Sequence, residues 1–359
     1  MSTGALAVVL GQTPNQFTGL KTIGKICFIF DLAIFVLFSL AMVTRFILEP
    51  NRLLASLHHP VESLFFGSYW VSISLILNCI QTYGVVNTGP WLVKALEVLF
   101  WMYSATALVV GIFQYHILFQ KECLPVNSAM PAWIFPIYPL LVVGTLAGTL
   151  LPSQPSSAAV PMWIGAVMLQ GLGWVVALLM YAIYVQRLMG HELPNPSTRP
   201  GMYVSVGPAG YTAAALISLG RHAPTVLGSQ FFGVDSVPVG DIVKIVGVLC
   251  GLFVILFAFW FFCMSTVAVL AGVKQMEFTL NWWAFVFPNA GLTLAMIQIG
   301  KVLDSPGIND ICSAMTIALV IMWFITTFAH IRAVCKEQIL WPGKDEDKTM
   351  RGIRWGFLG

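Results

Sequence analysis

Charge is the scarce ingredient of this sequence. Only 9% of its 359 residues are Asp, Glu, Lys or Arg, against about 25% in soluble domains. The formal net charge of +3 is too small to draw a polyanion. A water-soluble enzyme, a nucleic-acid binder and a disordered scaffold are thereby excluded. Other signals are missing too. The seven cysteines form no CxxC pair and have no histidine at ligand spacing, so no metal is expected and the thiols read as small buried apolar groups. There is no GxxxxGK[ST] phosphate loop, no HExxH and no nucleophile–base pattern. ATP-driven pumping, zinc hydrolysis and catalysis within the membrane have no residues to carry them, and no cofactor is expected.

What the chain has in excess is apolar length. It is 58% hydrophobic with a mean hydropathy of +0.84, and 359 residues accommodate about ten helices of membrane-spanning length. Apolar runs bounded by turn residues predict helices near 2–12, 20–47, 60–83, 90–119, 131–151, 159–187, 200–220, 239–272, 282–302 and 308–334. The first is too short to cross about 30 Å of hydrocarbon, so the chain reads as starting inside that helix. With ten spans both termini share one side. Lys21, Lys25, Lys94, Arg221, Lys244 and Lys301 fall on the other, leaving twelve of the eighteen basic residues on the side of the termini, which is therefore expected to be cytosolic. A membrane domain over residues 1–337 and a cytosolic tail over 338–359 follow.

Odd and even helices differ in kind. The third, fifth, seventh and ninth carry aligned prolines in His59-Pro60-Val61-Glu62, Phe135-Pro136-Ile137-Tyr138, Gly207-Pro208-Ala209-Gly210-Tyr211 and Phe287-Pro288-Asn289-Ala290-Gly291. Their partners lack that proline. This predicts five helical hairpins repeating every ~70–80 residues. Proline inside a helix costs about 3 kcal/mol and frees a carbonyl. Lipid cannot satisfy that carbonyl, so Pro60, Pro136, Pro208 and Pro288 are expected to kink helices lining a central polar axis, with the even helices facing lipid.

The register extends the argument. Arg221 and Lys301 each stand thirteen residues after an aligned proline, which predicts two cations at one mouth of the axis; the alternative is that each snorkels to the interface. At the other mouth Arg199 opens the seventh helix and is the first choice to hold a carboxylate, since arginine binds carboxylates in bidentate fashion. Ser205, Tyr211, Thr3 and Asn289 are candidate neutral donors along the axis. The residues before the prolines include Phe135 and Phe287, aromatic groups that would either constrict the axis or pack in the core. His59 and Glu62, three residues apart on one helical face, form an ionisable pair expected inside a span. Such a pair is a candidate for moving a proton with the anion; the alternative is that it caps backbone groups near the kink.

Several segments carry a resemblance to a known family: Ser2-Thr3-Gly4, His59-Pro60-Val61-Glu62, the run Arg199-Pro200-Gly201-Met202-Tyr203-Val204-Ser205-Val206-Gly207-Pro208, and Trp282-Trp283-Ala284-Phe285-Val286-Phe287-Pro288. In this order the chain resembles the tellurite-resistance/dicarboxylate transporter family, most of all its fungal malic acid branch; bacterial tellurite-resistance proteins, yeast sulfite efflux pumps and slow anion channels of plant guard cells are also members. The resemblance implies an all-α polytopic fold of ten helices in five hairpins around a quasi-fivefold pore. It also implies assembly as a homotrimer in the plasma membrane and a phenylalanine gate on the ninth helix. The gate position falls on Phe287, with Phe285 as the alternative. The expected function is secondary transport of C4-dicarboxylates such as malate and succinate, with protons as candidate partners. The competing expectation is a gated channel or efflux protein for small anions such as sulfite.

Overall fold

The computed structural model describes residues 1–339 except Pro60, Val61, Cys123, Ser229, Gln230 and Asp235, and except the side chains of Arg52, Leu54, Ala55, Lys121, Glu122 and Phe232. The expected kink at Pro60 and nearly all of the expected tail lie outside the described residues. The described chain is helical, with no strand. We number the principal helices α1 (Ser2–Gln12), α2 (Leu20–Leu48), α3 (Glu62–Asn87), α4 (Pro90–Gln120), α5 (Pro131–Ser153), α6 (Ser156–Gly190), α7 (Pro196–Val226), α8 (Val239–Gln275), α9 (Leu280–Leu303) and α10 (Pro306–Cys335). Nine of them are long and apolar enough to cross a membrane; α1 is the short one. A further short helix, Asn51–His58, joins α2 to α3.

Burial separates the helices into two sets. The most apolar stretches of α3, α5, α7 and α9 are 61–94% buried, those of α2, α4, α6, α8 and α10 only 6–39%. Residues Ser2 to Leu10 of α1 are buried throughout. The buried set closes on itself: α1 packs on α3, α3 on α5, α5 on α7, α7 on α9, and α9 on α1. The other set covers the outside with large apolar groups such as Phe38, Phe253 and Phe328. Water would penalise these surfaces, and a bilayer solvates them.

The described prolines stand where the inner helices change geometry. Pro136 lies in the 3-10 segment Pro131–Ile137 just ahead of the α-helical turn beginning at Tyr138. Pro208 stands in the first turn of the α-helical stretch Val206–Val226, behind the 3-10 segment Pro196–Ser205. Pro288 is the second residue of the stretch Phe287–Leu303, behind the 3-10 segment Leu280–Phe285. Each proline thus marks a 3-10-to-α junction. In a first α-helical turn the missing N–H costs little, since those donors have no partner within the helix.

Carbonyls near these junctions still need donors, and tyrosines from neighbouring helices supply them. In 3-10 geometry Trp133 O would take its bond from the nitrogen of Pro136, which has no hydrogen; the Tyr115 hydroxyl donates instead, at 2.8 Å. Val204 O, whose α-helical donor would be the nitrogen of Pro208, accepts a backbone N–H where the 3-10 segment ends and also the Tyr138 hydroxyl at 3.4 Å. Tyr181 donates to Ser205 O, and Tyr103 donates to Pro139 O at 2.7 Å, where α5 is interrupted at Val142. An unpaired carbonyl in hydrocarbon costs several kcal/mol by rough estimate, so these hydroxyls are part of what lets the breaks exist.

Glycine brings the inner helices close. A Cβ on Gly210 would lie 2.6 Å from Leu292 N and 2.7 Å from Gly291 C, backbone against backbone between α7 and α9. The pairs Gly144/Gly148 and Gly247/Gly251 likewise face α7, meeting Ala215, Ser218, Leu216 O and Ile217. Close small-residue contacts of this kind are how helices associate in lipid, where no hydrophobic drive exists between them. Gly210→Ala must push α7 and α9 apart and is expected to cost about 1–3 kcal/mol. Thermal unfolding of purified protein in detergent checks this; an unchanged midpoint would mean the two helices yield freely.

Candidate functional site

A cavity of about 180 Å³ opens within the ring of inner helices. All five contribute to its wall, with Gln12 from α1, Asn78 from α3, Thr145 and Thr149 from α5, Tyr211 and Ser218 from α7, and Gln298 from α9. No residue of an outer helix lines it. The volume holds several waters or one small organic anion.

Arg221 and Lys301 both line this cavity, together with His222. One terminal nitrogen of Arg221 lies 3.3 Å from His222 Nε2; because a guanidinium only donates, the imidazole nitrogen accepts. Arg221 Nε is buried with no partner. Among the described residues no carboxylate comes within ion-pair distance of either cation; the ion pairs found there are Lys94–Glu97 at 2.8 Å and the Met1 amino group with Asp31 at 3.7 Å. Two cations on one small cavity without a protein counter-ion form a local positive potential, strengthened by the low dielectric of the walls. His222 was not singled out from the sequence, and its only signal there is adjacency to Arg221.

Tyr211, in the cavity wall, also belongs to a buried aromatic cluster. Its ring stacks on Phe287 at 5.2 Å between centroids, and its hydroxyl donates to Phe287 O at 3.3 Å. Tyr138 packs on the same phenylalanine at 5.3 Å and meets Tyr211 edge-on at 6.4 Å. These three side chains are each at most 1% exposed. Phe135 stacks on Tyr138 at 5.4 Å and reaches Phe65 of α3 at 5.0 Å, extending the cluster. Glycines provide the room: a Cβ on Gly207 would meet the Tyr138 hydroxyl, and one on Gly291 the Tyr211 ring at 2.7 Å. Phe285 lies apart, half-buried between Tyr203 at 5.2 Å and Trp282 at 5.8 Å. The sequence contained a cue for Tyr138, which stands two residues after an aligned proline, but nothing local says its ring turns inward.

The remaining candidates stand elsewhere. Arg199 donates from Nε to Pro194 O at 2.9 Å and from Nη1 to Ala268 O at 3.0 Å. Two of its five N–H donors go to backbone carbonyls, one of them near the end of α8, and it does not line the cavity. Thr3 accepts from Trp323 Nε1 at 3.1 Å, toward α10. Ser205 is fully buried with its hydroxyl unpaired. Asn289 donates to Phe285 O at 2.9 Å, four residues back, and keeps a buried Oδ1 without partner.

The ionisable pair stands where α3 begins, with Glu62 its first residue and exposed. His59 Nδ1 accepts from the backbone N–H of Glu62 at 3.2 Å, and Glu62 Oε2 accepts from Ser56 at 2.8 Å. A helix start leaves its first N–H groups without partners, and a side-chain acceptor three residues earlier satisfies one of them.

Comparison with known proteins is consistent along the chain. The family model described as voltage-dependent anion channel, SLAC1, matches residues 1–331. A malic acid transport protein of Schizosaccharomyces pombe is 33% identical over 353 residues, covering 97% of this chain and 79% of that protein. A sulfite efflux pump of Arthroderma benhamiae is 27% identical over 341 residues, 94% of this chain and 90% of the pump. An uncharacterized transporter of Methanocaldococcus jannaschii is 24% identical over 347 residues, 93% and 92% of the two chains.

Proposed function

The chain belongs to the SLAC1 voltage-dependent anion channel family, and from that premise we propose that it is a secondary transporter of C4-dicarboxylates, malate and succinate among them. A multi-pass membrane protein of a transport family needs a path and a binding site. The observation that carries the proposal is the pairing of Arg221 and Lys301 on one cavity with no carboxylate partner among the described residues. A dianion with carboxylates a few ångströms apart supplies both counter-charges at once, and charge-assisted hydrogen bonds are the strong ones. The 33% identity to a malic acid transport protein supports the same substrate class. In this reading both termini are cytosolic, the address is the plasma membrane, and the outer apolar faces meet lipid and the neighbouring protomers of a homotrimer.

The test is uptake of labelled malate into proteoliposomes, with sulfite and chloride as competitors. Saturable malate uptake that sulfite fails to displace is the expected result. Current carried by sulfite or chloride without malate flux would move the protein to the second reading, a gated small-anion channel. That reading is favoured by one observation, the buried aromatic cluster of Phe287, Tyr138 and Tyr211, the last of which lines the cavity, and by similarity to a sulfite efflux pump.

The His59–Glu62 pair bears on proton coupling. Because His59 acts as a helix cap, His59→Gln is expected to leave the dependence of malate uptake on external pH unchanged, while costing about 1 kcal/mol of helix stability. A flattened pH profile would instead make the pair the proton route of a symporter.

A further inference from the structure

We propose that His222 is a positioning residue for the dicarboxylate site, its imidazole holding the Arg221 guanidinium in place to meet a carboxylate of the substrate. The inference rests on the cavity reading proposed above, in which Arg221 and Lys301 share the two charges of the substrate.

The backbone that carries Arg221 is held close on either side. A Cβ on Gly220 would lie 3.3 Å from Gly247 Cα, and one on Gly240 would lie 2.6 Å from Pro224 Cα. Around residues 220–224, α7 and α8 therefore run nearly backbone against backbone. The Thr225 hydroxyl adds a bond to His222 O at 2.9 Å. What such packing leaves free is the long side chain of Arg221, with its charge at the far end. An arginine loses rotamer freedom when an anion fixes it, and that loss is subtracted from the affinity.

The imidazole removes part of that freedom in advance. A terminal nitrogen of Arg221 donates to His222 Nε2 at 3.3 Å, the one hydrogen bond of this guanidinium found among the described residues. The pairing is not a routine helical one. Successive residues of a helix point about 100° apart, and side chains on one helix meet at a separation of three or four residues. The arginine must bend sideways across the helix to reach the ring. Both residues line the cavity, so the tether fixes the charge beside the cavity. An imidazole nitrogen that accepts carries no hydrogen, so a ring acting this way adds no third positive charge next to Arg221 and Lys301.

The test is malate uptake by the full-length protein in proteoliposomes. His222→Phe keeps a flat ring without an acceptor, and is expected to raise the KM for malate about threefold to tenfold with the maximal rate within about twofold of the parent. His222→Gln, whose amide oxygen reaches about as far as Nε2, is expected to regain most of that affinity; His222→Asn, one carbon shorter, is not. In an Arg221→Gln background His222→Phe is expected to raise the KM less than about twofold further, since no guanidinium is left to place. If His222→Phe fails to fold, His222→Asn replaces it in both comparisons. A parental KM in the folded variant, no recovery with His222→Gln, or the same several-fold loss in the Arg221→Gln background would overturn the positioning role and leave the substrate reading standing. Parent protein that takes up no malate would overturn the substrate reading and this inference with it.

Discussion

Replacing Phe287 by Ala is expected to raise anion conductance at least about tenfold over the parent protein in planar bilayers. The reasoning turns on what fills the space. In an ordinary sealed core, Phe→Ala leaves a cavity and costs about 3–5 kcal/mol, with no new function. Phe287 is 1% exposed and would look like such a core residue. Its surroundings differ, because Tyr211 on one side of it lines a cavity that carries two cations with no carboxylate partner among the described residues. The vacated volume would join that cavity and fill with water. Phe287→Leu, which keeps an apolar plug, should stay nearly silent. A well-folded Phe287→Ala protein with parental conductance would show that the seal lies elsewhere in the cluster, with Phe135 and Tyr138 the next to test.

The second large effect concerns the cations. Arg221→Gln and Lys301→Gln are each expected to raise the KM for malate about tenfold, and the double variant about a hundredfold. A charge-assisted hydrogen bond contributes about 1.5–3 kcal/mol, and 1.4 kcal/mol is a factor of about ten in binding. Chloride flux should fall less than malate flux in the single variants, because a monoanion needs only one of the two charges. Lys301→Arg, which retains charge, should keep malate transport within a few-fold of the parent. Malate KM values within twofold of the parent in both single variants would reduce Arg221 and Lys301 to interfacial anchors.

Much of the architecture is written locally along the chain. Hydropathy and length mark the apolar helices, and turn residues set most of their bounds to within a few positions. The prolines identify where regular α-helix breaks, since a residue without an N–H cannot continue a hydrogen-bond ladder wherever it is placed. The form of the break was less legible. A kink within a continuous α-helix and a 3-10-to-α junction can both hold the same proline.

The candidate site divides along the same line. Arg221 and Lys301 share their spacing from an aligned proline, which any reader of the sequence can count; that both reach one cavity depends on how α7 and α9 are turned where they meet. Arg199 shows the limit of counting. As a residue type it suits a carboxylate, yet it lies away from the cavity and donates to Pro194 O and to Ala268 O, the latter nearly seventy residues away along the chain. Thr3 finds Trp323 across almost the whole sequence, and Tyr138 finds Val204.

The sequence by itself determined that this is a membrane protein of apolar helices, that the helices are of two kinds, and where the backbone of the inner kind is interrupted. These are properties of short segments: transfer of side chains into hydrocarbon and the covalent geometry of proline act within a helix regardless of its neighbours. Only the tertiary structure decided which rings pack around Phe287, which cations share a cavity and which carbonyls accept from tyrosines. Successive residues of a helix turn by about 100°, so a small rotation of one helix against the next exchanges the groups that meet, and that rotation is set by packing between segments distant in sequence.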